Sequence, residues 1–403
     1  MARAFLVVMD SVGIGGAPDA DKFFNDGQPD TGANTLGHIA EACASGRAEV
    51  GRSGPLAVPV MTSLGLVKSM HAASGFDAPI GHVPQIGGAA IATEVSKGKD
   101  TPSGHWELAG VPVPWDWHVF PDKTNSFPPD IVAQICAFAG TDGILGNCHA
   151  SGTEVLKTFG QEHMQSGWPI CYTSVDSVLQ IAAHEETFGL ERLLTLCKDI
   201  APTLHKMNLG RVIARPFLGS GPEDFKRTAN RKDFAIAPPA PTLCDWVADA
   251  GRSVYAVGKI GDIFSMRGIK EVRKGPDVEL MRHLSDYARE AENGSLVFAN
   301  FVEFDSEYGH RRDVSGYARH LEWFDKELGA LIGSLQSDDL LIVTADHGND
   351  PTWIGTDHTR ERVPVLVYGK GVRDFGHVGF VDVAASVAEH LGIVPRGTGR
   401  SFI

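Results

Sequence analysis

Three aspartates, Asp10, Asp305 and Asp346, each stand behind a short apolar run, and three histidines, His310, His347 and His358, lie close behind the last two. Carboxylate oxygen with imidazole nitrogen is a ligand set suited to manganese, zinc or iron rather than calcium. Six such groups suffice for two cation sites of three protein ligands each, with positions left open for substrate, as catalytic metals require. A single Asp after a strand is usually a turn former, and a single His usually a hydrogen-bonded surface or core residue. The pair of segments Asp346-His347-Gly348 and Asp357-His358-Thr359, eleven residues apart behind one apolar run, carries the metal reading much further than either residue alone.

A nucleophile is available in Asp100-Thr101-Pro102-Ser103-Gly104-His105-Trp106-Glu107. Pro just inside a helix start with Thr before it predicts Thr101 as the helix cap, with the N–H groups of the first turn nearby to receive phosphate. A threonine hydroxyl is a weak nucleophile, and a divalent cation at its oxygen would activate it without a histidine base. Ser103 is the rival nucleophile if the cap lies elsewhere. The turn Gly13-Ile14-Gly15-Gly16 lacks the third glycine of a dinucleotide fingerprint, because Pro18 stands there, and no GxxxxGK[ST] occurs.

These groups need a scaffold that brings distant segments to one edge. Ala4–Met9, Ser295–Val302 and Leu340–Thr344 are strand-length runs of near-continuous apolar composition, as are Ser253–Val257 and Val363–Tyr368. Such runs predict strands buried on both faces of a mostly parallel sheet. Helical patterns lie between them: Tyr317, His320, Leu321, Phe324, Leu328 and Leu331 mark one covered face, and Leu243, Trp246, Val247 and Ala250 another, capped by Thr242. The alternation predicts an α/β, doubly wound core whose ligand site lies at the carboxyl ends of the strands. From Trp115 to Pro241 turns are denser and strand-like and helical pieces mix, which predicts an inserted α+β segment. The expected division is core 1–115, insertion 116–236 and core 237–403, with Ala237 to Pro241 as a stiff return linker.

Composition narrows the partners. The 403 residues carry 36 Lys and Arg against 50 Asp and Glu, a net charge of -14, with no basic run. That argues against a nucleic-acid or anionic-lipid partner, and no window approaches the apolar length of a membrane span. Six scattered cysteines without CxxC spacing point to a reducing, cytoplasmic setting, and Asp338-Asp339 reads as acidic surface.

The chain resembles the phosphopentomutases of the alkaline phosphatase superfamily of metalloenzymes. The resemblance rests on Val8-Met9-Asp10-Ser11-Val12-Gly13-Ile14-Gly15, Asp30-Thr31-Gly32-Ala33-Asn34-Thr35, Gly98-Lys99-Asp100-Thr101, Gly104-His105-Trp106-Glu107, Tyr308-Gly309-His310-Arg311-Arg312-Asp313, and the two histidine turns. It implies an alkaline-phosphatase-type core with an inserted cap domain. It also implies two manganese ions, one on Asp10, Asp346 and His347 and the other on Asp305, His310 and His358, with Thr101 between them as the residue that becomes phosphorylated. The implied reaction is an isomerisation of (deoxy)ribose 1-phosphate and 5-phosphate through a 1,5-bisphosphate, in nucleoside catabolism and salvage, primed by a sugar bisphosphate activator. Asp176, Arg211, Ile213 and Lys259 carry over as substrate ligands, the two bases for the distal phosphate. Pentose phosphates are then the partners, with no obligatory protein partner inferred. Asn349 departs from the family pattern, where Cys is common, and Glu303 stands where Asp is more frequent.

The same core serves phosphatases and phosphodiesterases, so the insertion decides. A mutase must keep water from its phosphoenzyme, and an enclosing cap is expected of it; a hydrolase needs none. A protein holding its metals only structurally would unfold on chelation, whereas a catalytic site would leave a folded, inactive protein.

Overall fold

The computed structural model describes residues 2–174 and 177–403. It divides into two units, residues 1–114 with 238–403, and residues 115–237.

The first unit is built on an eight-stranded sheet in the order Glu271–Arg273, Val254–Val257, Leu296–Phe301, Ala4–Met9, Leu340–Thr344, Val363–Tyr368, Gly88–Thr93, Asp374–Gly379. The Ala4–Met9 strand pairs in parallel with Leu296–Phe301 on one side and Leu340–Thr344 on the other, with Met9 level with Phe301 and Val8 with Thr344. All three are buried along their full length. This is why their sequences are continuously apolar: helices cover both faces. Val363–Tyr368 is antiparallel to both its neighbours, and every other strand runs the same way. The near-uniform direction puts the chain segments that follow Met9, Thr93, Val257, Phe301 and Thr344 on one sheet edge. The reversed strand begins at that same edge, so the turn before Val363 lies there as well.

Two strands carry weak sequence signals. Gly88–Thr93 is Gly-Ala-Ala-Ile-Ala-Thr, and Asp374–Gly379 is largely exposed at the sheet margin. The long helix Val314–Ser334 buries Tyr317, His320, Leu321, Phe324, Leu328 and Leu331, and Leu243–Asp249 is entered through a reciprocal Thr242–Asp245 capping box. Asp339, read from sequence as surface, is instead buried. Its Oδ2 lies 2.6 Å from Arg3 Nη2 and its Oδ1 accepts from Arg3 Nε at 3.0 Å, with both side chains enclosed. Arg3 sits just before the first strand and Asp339 just before the neighbouring one, so parallel pairing makes them neighbours.

The second unit is α+β. Its six-stranded mixed sheet centres on Arg211–Leu218, which is parallel to Val178–His184 and antiparallel to Lys232–Ala235. Helices Pro129–Ala139 and Leu190–His205 pack on it around Ile131, Ile135, Leu193, Leu196 and Ile200. Among the described residues, no helix is long and apolar enough to cross a membrane.

Candidate active site

Asp10 follows Met9 directly, and the chain then turns through Ser11, whose φ of 75° is left-handed. That conformation is costly for a residue with a Cβ. It aims the Ser11 N–H at Asp346 Oδ1, 3.1 Å away, while the Ser11 carbonyl accepts from Asn349 N–H. Two strand ends are thus stapled together, and the carboxylates of Asp10 and Asp346 meet in a place from which water is excluded, since both side chains are fully buried.

His347 Nε2 lies 3.4 Å from Asp10 Oδ1 and 3.4 Å from Asp346 Oδ2. Asp305 closes a second group: its Oδ2 is 3.2 Å from His310 Nε2 and its Oδ1 is 3.4 Å from His358 Nε2, and these two imidazole nitrogens are 3.1 Å apart. The groups adjoin, because the rings of His347 and His358 stack with centroids 4.0 Å apart and Asp305, His347 and His358 also converge on one another. All six ligands proposed from sequence therefore come together, at the edge that the strand directions predict.

The donor set fits divalent cations. Each histidine has Nδ1 against a main-chain carbonyl: His310 at Thr356 O (2.6 Å), His347 at Gly348 O (3.1 Å), His358 at Lys99 O (2.8 Å). A carbonyl only accepts, so Nδ1 carries the proton and Nε2 presents a lone pair to the cluster. For His310 and His358 that sets two lone pairs facing at 3.1 Å, which a cation, or an extra proton, must separate. Asp10 Oδ1 and Asp346 Oδ2 are buried without a hydrogen-bond partner, the state expected of oxygens that a metal coordinates. Without cations the charges are poised against each other. Burial and the neighbouring Asp346 raise the Asp10 pKa. Burial opposes ionisation of Asp305 too, but His358 and His310 outweigh it and hold Asp305 well below the usual range. Burial disfavours charge on His347, and Asp346 and Asp10 overturn that, raising it well above an ordinary imidazole.

Thr101 reaches the cluster from the segment behind the Gly88–Thr93 strand, with its Oγ1 3.3 Å from His347 Nε2. It is not the helix cap. The helix is Thr101–Leu108, and Asp100 caps it, accepting from Ser103 N–H at 3.0 Å and from Ser103 Oγ at 2.8 Å. Asp outranks Thr as a cap, and Pro102 is tolerated at the second position as well as the first. The correction matters: the cap is supplied by Asp100, so the Thr101 hydroxyl faces the histidine, while the Ser103 hydroxyl is buried on Asp100.

Several residues around the site gave no signal of their own in the sequence. Asn349 donates to Asp305 Oδ1 at 2.7 Å, so the departure from the family pattern falls beside a ligand. Arg360, enclosed at 1% exposure, binds the carbonyls of Glu94 and Gly98 and the carboxylates of Asp19 and Glu94, which ties the segment leading to Thr101 to the His358 turn. Lys99 pairs with Asp30 at 3.0 Å. Glu361 accepts from Gly15 N–H, Thr35 N–H and the hydroxyls of Thr35 and Thr359; burial and the nearby Asp350 push its pKa up to about 7.

Of the substrate residues expected from sequence, Lys259 is exposed right after the Val254–Val257 strand, at the edge that carries Asp10. Arg211 opens the central strand of the second unit, half-buried, and Ile213 is buried two residues on. Asp176 lies outside the described residues.

The metalloenzyme superfamily profile matches residues 2–395. A phosphopentomutase of Agrobacterium fabrum is 53% identical over 412 residues, covering 100% of both chains. One from Rhizobium rhizogenes is 54% identical over 413 residues and one from Shewanella frigidimarina 51% over 410, each again covering 100% of both chains.

Proposed function

The chain belongs to the phosphopentomutase family of the metalloenzyme superfamily, and from that premise we propose that it interconverts (deoxy)ribose 1-phosphate and 5-phosphate by phosphoryl transfer through Thr101. It is an isomerase of small pentose phosphates in this reading, at work in nucleoside catabolism and salvage. The observation that carries the proposal is the Thr101 hydroxyl set 3.3 Å from His347 Nε2, beside six buried or half-buried groups whose lone pairs converge.

Asp10, Asp346 and His347 would hold one manganese ion and Asp305, His310 and His358 the other. Two such cations supply neutralisation of the phosphoryl oxygens and ease the loss of a hydroxyl proton. With three aspartates the centre is then net +1 inside a protein of -14, which gives an anionic substrate the local attraction that the composition as a whole denies it.

In the working cycle Thr101 starts as its phosphate ester, primed by a sugar bisphosphate. The free hydroxyl of a bound pentose monophosphate attacks that phosphorus; the new sugar O–P bond forms as the Thr101 Oγ–P bond breaks, giving the 1,5-bisphosphate. The bisphosphate turns around, and Thr101 Oγ attacks its other phosphorus, so the second sugar O–P bond breaks and the phosphothreonine is restored. The main-chain carbonyls of Gly348, Thr356 and Lys99 keep the proton on Nδ1 of each histidine throughout. Asp176, Arg211, Ile213 and Lys259 are assigned to the sugar and the distal phosphate, and residues 116–236 to a cap that keeps water from the phosphoenzyme. A cytoplasmic setting is part of the reading, supported by six free thiols.

The deciding assay gives wild type and Thr101→Ala ribose 1-phosphate with manganese and follows ribose 5-phosphate and free phosphate separately. Isomerisation by wild type that disappears in the variant is the expected result. Free phosphate as the main product would replace the mutase with a phosphatase of the same superfamily. Full activity of the variant would remove Thr101 as the nucleophile and make Ser103 the next residue to test.

A further inference from the structure

The string Gly104-His105-Trp106-Glu107 takes no part in the chemistry above, yet it is almost entirely enclosed: His105 and Glu107 have no exposed surface. The outer two polar groups have plain anchoring duties. Glu107 accepts from the N–H groups of Val95 and Ser96, and Trp106 Nε1 donates to Ile263 O at 2.9 Å. His105 is different, because its polar neighbours are Thr101, Asp346 and an amide bound to Asp10.

Its Nδ1 is 2.9 Å from the carbonyl of Thr101 and 3.0 Å from Asp346 Oδ2. Both are acceptors, so Nδ1 carries the proton; the N–H is aligned on Thr101 O, with the carboxylate oxygen held alongside by electrostatic attraction. Nε2 faces Asn300 Nδ2 at 3.2 Å, and the same amide donates to Asp10 Oδ2 at 2.8 Å. Each of the two amide hydrogens thus has its own acceptor, and Nε2 is left as the lone pair that receives one. The ring lies near Phe298, centroids 6.2 Å apart at 25° between planes, and is fully buried, so these contacts are not exchanged for solvent ones on the protein surface.

We propose that His105 is a positioning residue that locks the Thr101 end of its helix onto Asp346 and, through Asn300, onto Asp10, so that nucleophile and first cation site move as one body. This rests on the reading of Asp10, Asp346 and His347 as cation ligands. Asp10 Oδ2 is occupied by Asn300 and Asp346 Oδ1 by the Ser11 N–H, so Asp10 Oδ1 and Asp346 Oδ2 turn toward His347, and His105 steadies Asp346 Oδ2 from its other side. Any buried imidazole needs partners at both nitrogens, and here those partners are the Thr101 carbonyl, the Asp346 carboxylate and the amide that also holds Asp10.

The test is manganese binding by titration calorimetry on the chelated, folded full chain, which needs no catalysis. His105→Asn keeps a donor near the Nδ1 position, His105→Gln places its amide near Nε2, and His105→Leu supplies neither. The expected order is Asn within a few-fold of wild type, Gln weaker, and Leu weakened by about 10–100-fold, as for other supports of metal ligands. With ribose 1-phosphate, kcat should fall in the same order while KM changes little. Equal affinity for wild type and His105→Leu overturns the proposal. If the Leu variant does not fold, the Asn and Gln variants decide: Gln binding as tightly as Asn, or more tightly, overturns it too. Free phosphate in place of ribose 5-phosphate would refute the mutase reading and leave this affinity order standing.

Discussion

Replacing Gly104 by Ala adds one methyl group to the helix that carries Thr101, and on helix propensity alone it should stabilise the chain by about 0.5–1 kcal/mol. The structure gives the opposite expectation. A Cβ built on Gly104 lies 2.1 Å from Asp346 O and 2.8 Å from Asp346 Cβ, with backbone rather than a mobile side-chain tip in the way. Contact at van der Waals distance requires the helix or the Asp346 turn to retreat by about 1 Å, and overpacking of this kind costs about 1–3 kcal/mol. Net destabilisation should therefore be about 1–2 kcal/mol. The displacement acts on the 3.3 Å separation between Thr101 Oγ1 and His347 Nε2, and misplacement of a reacting group by about 1 Å costs about 100-fold in rate. We expect Gly104→Ala to lose about 100-fold in kcat in a coupled assay of ribose 5-phosphate formation, with KM changed little, and to unfold at lower urea concentration. A variant as active as wild type and more stable would refute the claim that the helix rests directly on the ligand turn.

Other expectations are equally open to measurement. Arg3→Met leaves Asp339 buried without its partner and should cost about 3–5 kcal/mol in urea unfolding with kcat/KM preserved, while Arg3→Met/Asp339→Leu should recover most of the loss. Burial raises the Asp325 pKa to about 6, against the opposing hydrogen bonds from Met61 N–H and Val60 N–H. The folded state thus holds a proton that the unfolded state has released: relative to Asp325→Asn, wild-type stability should be greatest below about pH 4, fall by about 3 kcal/mol up to pH 6, and stay level above it. A difference that rises with pH would contradict this. Chelation should leave the far-ultraviolet circular dichroism unchanged and abolish isomerisation, which manganese restores; loss of the fold on chelation would assign the cations a structural role.

The part of the molecule written most plainly in the sequence is the part whose signal is local. Ala4–Met9, Leu340–Thr344 and the run around Leu296–Phe301 declare themselves because each is buried on both faces, and each is followed within four residues by an aspartate. The six candidate ligands were read from those ends, from His310 close behind Asp305, and from the two histidine turns. Gly88–Thr93 passed unseen since four of its six residues are Gly or Ala, and nothing in Val363–Tyr368 announces that it runs against its neighbours. The Asp100 cap was legible from residue type but was assigned one residue late. Arg3 with Asp339, 336 residues apart, and His105 with Asn300, 195 apart, depend on pairings that no sequence window contains.

The Nδ1 atoms of His347, His310 and His358, the three imidazoles proposed for the cations, lie against peptide carbonyls, at Gly348, Thr356 and Lys99 respectively. Their proton placement is therefore a property of the route the chain takes, and every amino acid at 348, 356 or 99 offers the same carbonyl. Gly348 has no room for a side chain, since a Cβ there would lie 2.4 Å from Glu361 Oε1, but a substitution at Thr356 leaves its carbonyl in place, whereas a one-residue insertion or deletion between Asp346 and Thr359, or ahead of Asp100, would swing a carbonyl away and release the ring. For anyone redesigning this centre, loop length is the variable to hold constant.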